Sequence, residues 1–282
     1  MLACTPHPGL GTVVYRHQSV DLATCKTAIG VLLRPKDTVS VRVTKDSQSI
    51  VFKGKVVLKI HENHKGFPQG SPGPIVLEGV SPDAKWILYA IDPQGSASLM
   101  ADGLTLMAAP VAGGRPATVA SGLLYADYRA WCGGRLVITT GGDREATIHK
   151  QLEITGPPDW KTRPLTSLQG RAWGAVACAP DGHFVVVQSQ RAEQLRDFYA
   201  TRWALWRVTL AGSATQLTRP PAHHADESPQ FAPDGTLYFV RSEKGHGSLY
   251  AYRDGKAIGP LLSLGYSLGY YGANEWPYTV TR

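Results

Sequence analysis

The sequence predicts an all-β fold: a six-bladed β-propeller of four-stranded antiparallel blades, closed by its own C-terminal strand. Three observations predict it. A turn signature recurs along the chain, a strand–turn–strand module follows each copy, and the two ends of the chain hold complementary parts of one blade. The signature is clearest in "VSPDAKWILYAI" from Val80, "CAPDGHFVVVQS" from Cys178 and "FAPDGTLYFVRS" from Phe231. Proline presets φ, aspartate bonds the backbone two residues on, and glycine takes positive φ without a Cβ clash, so each is a tight turn between strands. Looser copies are "VTKDSQSIVFKG" from Val43 and "AWCGGRLVITTG" from Ala130.

The second module reads "LTLMAAPVAGGRPATVA", "WALWRVTLAGSATQLT" and "SLYAYRDGKAIGPLLS", each a strand, a turn of small residues and a strand. Together the modules make four short strands repeating about every 45–50 residues, the period of a propeller blade. The N-terminal "GTVVYRHQSVDLATCKTAIGVLL" supplies three strands with no inner one before them, and the C-terminal "NEWPYTVTR" supplies one strand with nothing after it. Joining them removes two exposed strand edges. The expected single domain spans residues 1–282, with blades at 12–37 plus 275–282, 38–74, 75–121, 122–168, 169–222 and 223–274. Trp276 to Val280 is the expected closing strand. Blade two is the least regular, because "HENHKGFPQGSPGP" shows no clear fourth strand.

The Ser-Pro-Asp-Gly inner hairpin, followed by a "GGRPATVA" or "GSATQLT" outer hairpin, resembles the TolB-type, WD-repeat-like β-propeller repeat. The resemblance covers essentially the whole chain, strongly in three blades and loosely in the others. It implies fold rather than activity, since the motif encodes a turn. In that family the repeat occurs in periplasmic scaffold proteins, in propellers that cap prolyl-oligopeptidase-like enzymes, and in many bacterial proteins of unknown role.

Composition narrows the function classes. The 30 glycines and 20 prolines are spread along the chain and favour short elements. The net charge of +7 contains no block of consecutive basic residues and accompanies no nucleic-acid motif, so it reads as a solvated surface. No stretch approaches the roughly 18 consecutive apolar residues of a membrane span. No basic and apolar leader is visible, although the opening "MLAC" faintly resembles the end of a lipoprotein signal.

"GYSLG" at 265–269 matches the G-x-S-x-G elbow that presents a nucleophilic serine. Such a serine needs a helix after it and an acid and a histidine further along the chain. After Ser267 only 15 residues remain, and the last histidine is His246. The segment is expected to be a loop, with no catalytic residue assigned. "HHADE" places His223, His224, Asp226 and Glu227 together, as weak metal-ligand candidates against ordinary loop solvation. "HENH" offers His61, Glu62 and His64, but its histidines are three apart rather than the four of a zincin helix. No metal and no cofactor is expected.

Inner strands begin around one mouth of the central channel, where loops meet ligands. The segments entering them contain Arg42, Asp127, Tyr128, Arg171, Trp173, Asp226, Glu227, Asn274 and Glu275. Mixed charge with aromatics suits a protein or peptide; the competing reading is strand caps lining a wet pore. The insertion at 189–202 spaces Leu195, Phe198 and Tyr199 for one face of a short helix, either lying over the mouth or packing on its own blade.

The four cysteines show no C-x-x-C spacing. Cys4 precedes the first strand and Cys25 follows its antiparallel neighbour, so these two are expected to form a disulfide; Cys132 and Cys178 match more loosely. An even count with one well-placed pair points to an oxidising compartment. The expectation is a monomeric, extracytoplasmic propeller (periplasmic, secreted or lipid-anchored) binding a protein or peptide at its channel mouth, without nucleic acid. A hydrolase or lyase with its site in the mouth is the alternative.

Overall fold

The computed structural model describes residues 3–15, 18–29, 39–44, 47–61, 75–92, 98–267 and 269–281. Among them the strands form five four-stranded sheets and one three-stranded sheet, all antiparallel. Blade one contains Thr12–Tyr15, Gln18–Asp21 and Thr27–Ile29, with Tyr278–Val280 added on the inner side. Blade two contains Val39–Val43, Ser47–Phe52 and Lys55–His61. The irregular segment expected after it, 62–74, lies outside the described residues. Blade three contains Ile75–Val80, Trp86–Ile91, Leu104–Pro110 and Ala117–Gly122; blade four contains Arg129–Cys132, Arg135–Thr140, Gln151–Thr155 and Arg163–Pro164. Blade five contains Arg171–Cys178, Phe184–Arg191, Ala204–Thr209 and Ala214–Gln216; blade six contains His224–Phe231, Leu237–Glu243, His246–Arg253 and Lys256–Tyr266.

The repeated turns use one device. The Oδ1 atoms of Asp83, Asp181 and Asp234 accept the backbone N–H two residues on, from Lys85, His183 and Thr236, at 3.1, 3.0 and 2.8 Å. Each aspartate replaces a missing backbone partner, which is why the motif can be seen in sequence. These turns lie at the lower face of the propeller; the inner strands begin at the upper face.

Closure follows the expected pattern. Val13, Val14 and Tyr15 pair with Val280, Thr279 and Tyr278. The closing strand starts at Tyr278 rather than Trp276, because Pro277 has no N–H to give a ladder. A second tie was not foreseen. Thr5 N–H donates to the Leu261 carbonyl and Ser263 N–H to that of Ala3, both at 2.9 Å, so the chain start lies along the outer edge of blade six. Cys4 bonds Cys25, Cα atoms 5.8 Å apart, linking that segment to blade one. Cys132 bonds Cys178, Cα atoms 5.3 Å apart, and joins the inner hairpins of blades four and five.

The core lies between blades. Val13, Val20, Val240, Leu249, Leu261, Leu264 and Trp276 pack where blades six and one meet. Trp173, Val176, Val185 and Val187 pack against Val137, Leu152 and Leu165 between blades four and five. Burying a side chain of this size is worth roughly 1.5–3 kcal/mol. Among the described residues no helix is long and apolar enough to cross a membrane.

Candidate functional site in the central channel

Three inner strands carry a register shift: Leu77/Gly79 in blade three, Trp173/Val176 in blade five and Glu227/Gln230 in blade six. A bulge puts an extra residue into the strand and re-aims its neighbours. In blade six the bulge is Ser228–Pro229, with Ser228 at φ +46°. It separates two roles. Glu227 turns into the protein and Gln230 turns into the channel.

Residues 267–277 connect blade six to the closing strand. Ala146 N–H of blade four donates to the Tyr271 carbonyl at 2.9 Å, and Trp203 Nε1 of blade five donates to the Gly272 carbonyl at 3.3 Å. Blades four and one are opposite in a ring of six, so this segment crosses the upper mouth of the channel. Gly269 permits the crossing: a Cβ there would meet the Ala273 carbonyl oxygen at 1.8 Å.

Below the crossing lies a cavity of about 580 Å³. Its walls run from Asp127 and Glu275 down past Gln230 and Pro277 to Ala177, Phe231 and Thr279 near the lower ends of the inner strands. Asp127 Oδ2 accepts a hydrogen bond from Ser228 Oγ at 3.0 Å. Burial pushes the Asp127 carboxyl up to about 6, and the Glu275 and Glu227 carboxylates add to it against the Ser228 bond. Burial also raises Glu275. Among the described lining residues there is no Lys, Arg or His.

Glu227 is buried and accepts four hydrogen bonds. Thr201 Oγ1, Ser242 Oγ and Asn274 Nδ2 donate to Oε1 at 3.2, 3.1 and 2.8 Å, and Trp276 Nε1 donates to Oε2 at 2.9 Å. Burial raises its carboxyl pKa, and those donors oppose the rise. It fixes the crossing segment rather than lining the cavity.

The structure thus brings Asp127, Glu227, Asn274 and Glu275 together, with Tyr128 buried beside Tyr125 at a centroid distance of 5.3 Å. The other predicted residues lie elsewhere. Arg42 is exposed near the lower end of its inner strand, next to the hairpin turn and not at the upper mouth. Trp173 is core, and Arg171 stacks over Trp206 at 4.2 Å while donating to Ser189 Oγ. Asp226 is buried in a two-bond pair with Arg241, at 2.7 and 2.9 Å. On a strand, neighbours face opposite sides, so Asp226 and Glu227 cannot share a ligand.

The weak metal candidates are each held by other partners. His223 is in a turn, His224 Nδ1 lies 2.9 Å from the Ala222 carbonyl, and Asp226 is held by Arg241. Among the described residues no three His, Cys, Asp or Glu side chains form a metal-holding group. His61 is exposed, and Glu62 and His64 lie outside the described residues.

Ser267 is in a loop, not an elbow, and it is not idle. It is buried, and its Oγ accepts the N–H groups of Gly269 and Glu275 at 3.0 and 3.1 Å. The insertion forms a turn instead of a helix, because Asp197 Oδ1 caps Tyr199 N–H at 2.9 Å. Phe198 and Tyr199 reach across to Tyr271 and Tyr266, with centroids at 5.3 and 5.4 Å, so the insertion packs on the crossing segment. Sequence reasoning missed Ser228, Gln230 and Tyr278. The Ser-Pro step after Glu227 was the available signal, since proline inside a strand marks a bulge.

No family model and no curated protein matches the chain. Solved structures do. A protein assigned as TolB from Agrobacterium tumefaciens is 14% identical over 90% of this chain and 89% of its own, with a TM-score of 0.47. An oligogalacturonate lyase in complex with manganese is 13% identical over 89% of this chain and 70% of its own, with a TM-score of 0.49. A puromycin-hydrolyzing peptidase from Mycobacterium tuberculosis is 16% identical over 92% of this chain, with a TM-score of 0.48; this chain spans 45% of that one. These are likenesses of chain path at low identity, and the six-sheet topology stands on the strand pairing above.

Proposed function

We propose that this chain is a non-enzymatic binding propeller, working outside the cytoplasm, that receives a protein or peptide in its central channel. The observation that carries the reading is the pair of carboxyl groups, Asp127 and Glu275, at the upper end of a cavity with no cation among its described lining residues. A positively charged group, such as a lysine side chain or a free N-terminus, would relieve their mutual repulsion. The walls of Val176, Ala177, Phe231 and Pro277 would cover its apolar part. The two disulfides support an oxidising compartment, periplasmic, secreted or lipid-anchored.

A hydrolase or lyase is the second reading. One observation favours it, the Asp127 carboxyl held near 6 beside Glu275, since acid–base pairs are built from carboxyl groups in unequal environments. Against it, no imidazole lines the cavity among the described residues. Panning a random peptide library on the protein, in parallel with an Asp127→Asn, Glu275→Gln variant, separates the outcomes. Enrichment of lysine- or arginine-bearing peptides on the native protein alone is expected. Equal enrichment on both proteins would refute the channel as the binding site.

A further inference from the structure

A second concave feature lies on the upper face, outside the channel. Phe198, Tyr199, Gly269, Tyr270, Tyr271 and Asn274 help to line a cavity of about 240 Å³, room for a single ring. Rings in and beside it meet steeply: Phe198 against Tyr271 at 69°, and Tyr199 against the neighbouring Tyr266 at 65°. Tyr270, Tyr266 and Phe198 are 63%, 45% and 37% exposed, a concentration of aromatic surface unusual for a solvated loop.

We propose that this cavity binds a prolyl residue of an extended peptide whose flanks are acidic. Aromatic walls at steep angles accept a flat, rigid, apolar ring, and a proline-rich segment arrives already extended, losing little entropy on docking. A sugar would need several free polar partners. Among the polar side chains that line the cavity, Asn274 already gives its Nδ2 to Glu227 at 2.8 Å. The Arg144 guanidinium lies 5.9 Å from the centroid of the Tyr271 ring, which disfavours a cationic ligand. Backbone donors complete the match. Tyr270 to Ala273 form a tight turn with φ +53° at Tyr271 and +81° at Gly272, and the N–H groups of those two residues have no partner among the described residues. A prolyl segment offers carbonyl acceptors without competing N–H groups.

The acidic flanks follow from the rim. Arg196 and Arg202 of the same insertion are exposed and, among the described residues, in no ion pair, whereas Arg144 is paired with Asp102 at 2.6 Å. The insertion at 189–202 carries Arg191, Arg196 and Arg202 against Glu193 and Asp197, so it keeps a single net positive charge. Exposed charges of this kind set attraction and its salt dependence more than final affinity.

Fluorescence polarisation tests this with three labelled hexapeptides: four prolines flanked by glutamate, four prolines flanked by lysine, and four alanines flanked by glutamate. At low salt the glutamate–proline peptide should bind at least tenfold more tightly than either control, and the advantage over the lysine-flanked peptide should shrink in 0.5 M salt. Tyr270→Ala, at the most exposed of these side chains, should weaken it at least tenfold with unchanged melting; Phe198→Ala should weaken it as much with a somewhat lower melting temperature, since that ring also packs on Tyr271. Equal binding of the alanine peptide, binding unaffected by both variants, or no saturable binding would each overturn the proposal. So would Tyr270-dependent dimerisation in the ultracentrifuge, which would make the occupant a second copy of this chain.

Discussion

Trp276 Nε1 donates to Glu227 Oε2 at 2.9 Å, and this bond holds the closing segment of blade one against blade six. The indole fits because Gly247 leaves room for it: a Cβ there would come within 2.5 Å of the ring. Glu227 therefore joins parts of the chain that meet only when the ring closes.

The first prediction is that Glu227→Gln is destabilising although it preserves shape. Oε1 can still accept from Thr201, Ser242 and Asn274, but an amide NH₂ then faces the Trp276 N–H, donor against donor. Leaving buried donors unpaired costs about 1–3 kcal/mol each. A fall in denaturant midpoint with unchanged m-value is expected, together with faster proteolysis near residues 267–275. Unchanged stability would show that Glu227 does not hold the segment.

A second prediction concerns Ser267. Ser267→Ala deletes the acceptor of two N–H groups in a buried loop, so a loss of about 1–3 kcal/mol is expected. A fluorophosphonate probe should not label the native protein. Stoichiometric labelling at Ser267 would overturn the structural role.

The fold was legible because its signal is local chemistry repeated: the Asp83, Asp181 and Asp234 turns need no distant partner. Closure was legible from strand counting. The site was legible only in part. Sequence places a residue near a mouth but does not say which way a bulged strand points it, so Asp127 and Glu275 face the cavity while Trp173 is core. The span of 267–277 across the mouth was invisible for another reason. It depends on bonds to Ala146 and Trp203, more than 60 residues away in sequence. The bond between Cys132 and Cys178 depends likewise on how two neighbouring blades pack.

The third prediction tests closure. Truncation after Asn274 removes Tyr278–Val280 and leaves Thr12–Tyr15 without its inner partner. It also removes Trp276 and the Tyr278 hydroxyl that donates to the Ser228 carbonyl. The exposed strand edge should drive aggregation. Size-exclusion chromatography should show loss of the native peak, and a monomer with native melting would refute the closure. Tyr278→Phe is a milder version, expected to cost about 0.5–1.5 kcal/mol as a single hydrogen bond.

The last prediction turns on Asp127, whose carboxyl is raised from 3.8 to about 6 by burial and by Glu275 and Glu227. A raised carboxyl binds its proton more tightly in the folded chain than in the unfolded one. Its contribution to stability is therefore fully present below the ordinary value and is lost as pH rises through about 6. Asp127→Asn stays neutral and can still accept from Ser228, so the variant should be more stable than the native protein at pH 7.5, by about 1–3 kcal/mol, with the difference vanishing near pH 4. Ligand binding should run the other way. A cationic peptide needs the ionised carboxylate, so native affinity should increase between pH 5 and 7, while the variant should bind weakly and keep only the slope due to Glu275. Chemical denaturation and calorimetric titration at matched pH values measure the two trends. Parallel stability curves for the two proteins across that range would show that Asp127 is not the buried, ionisable centre of the channel.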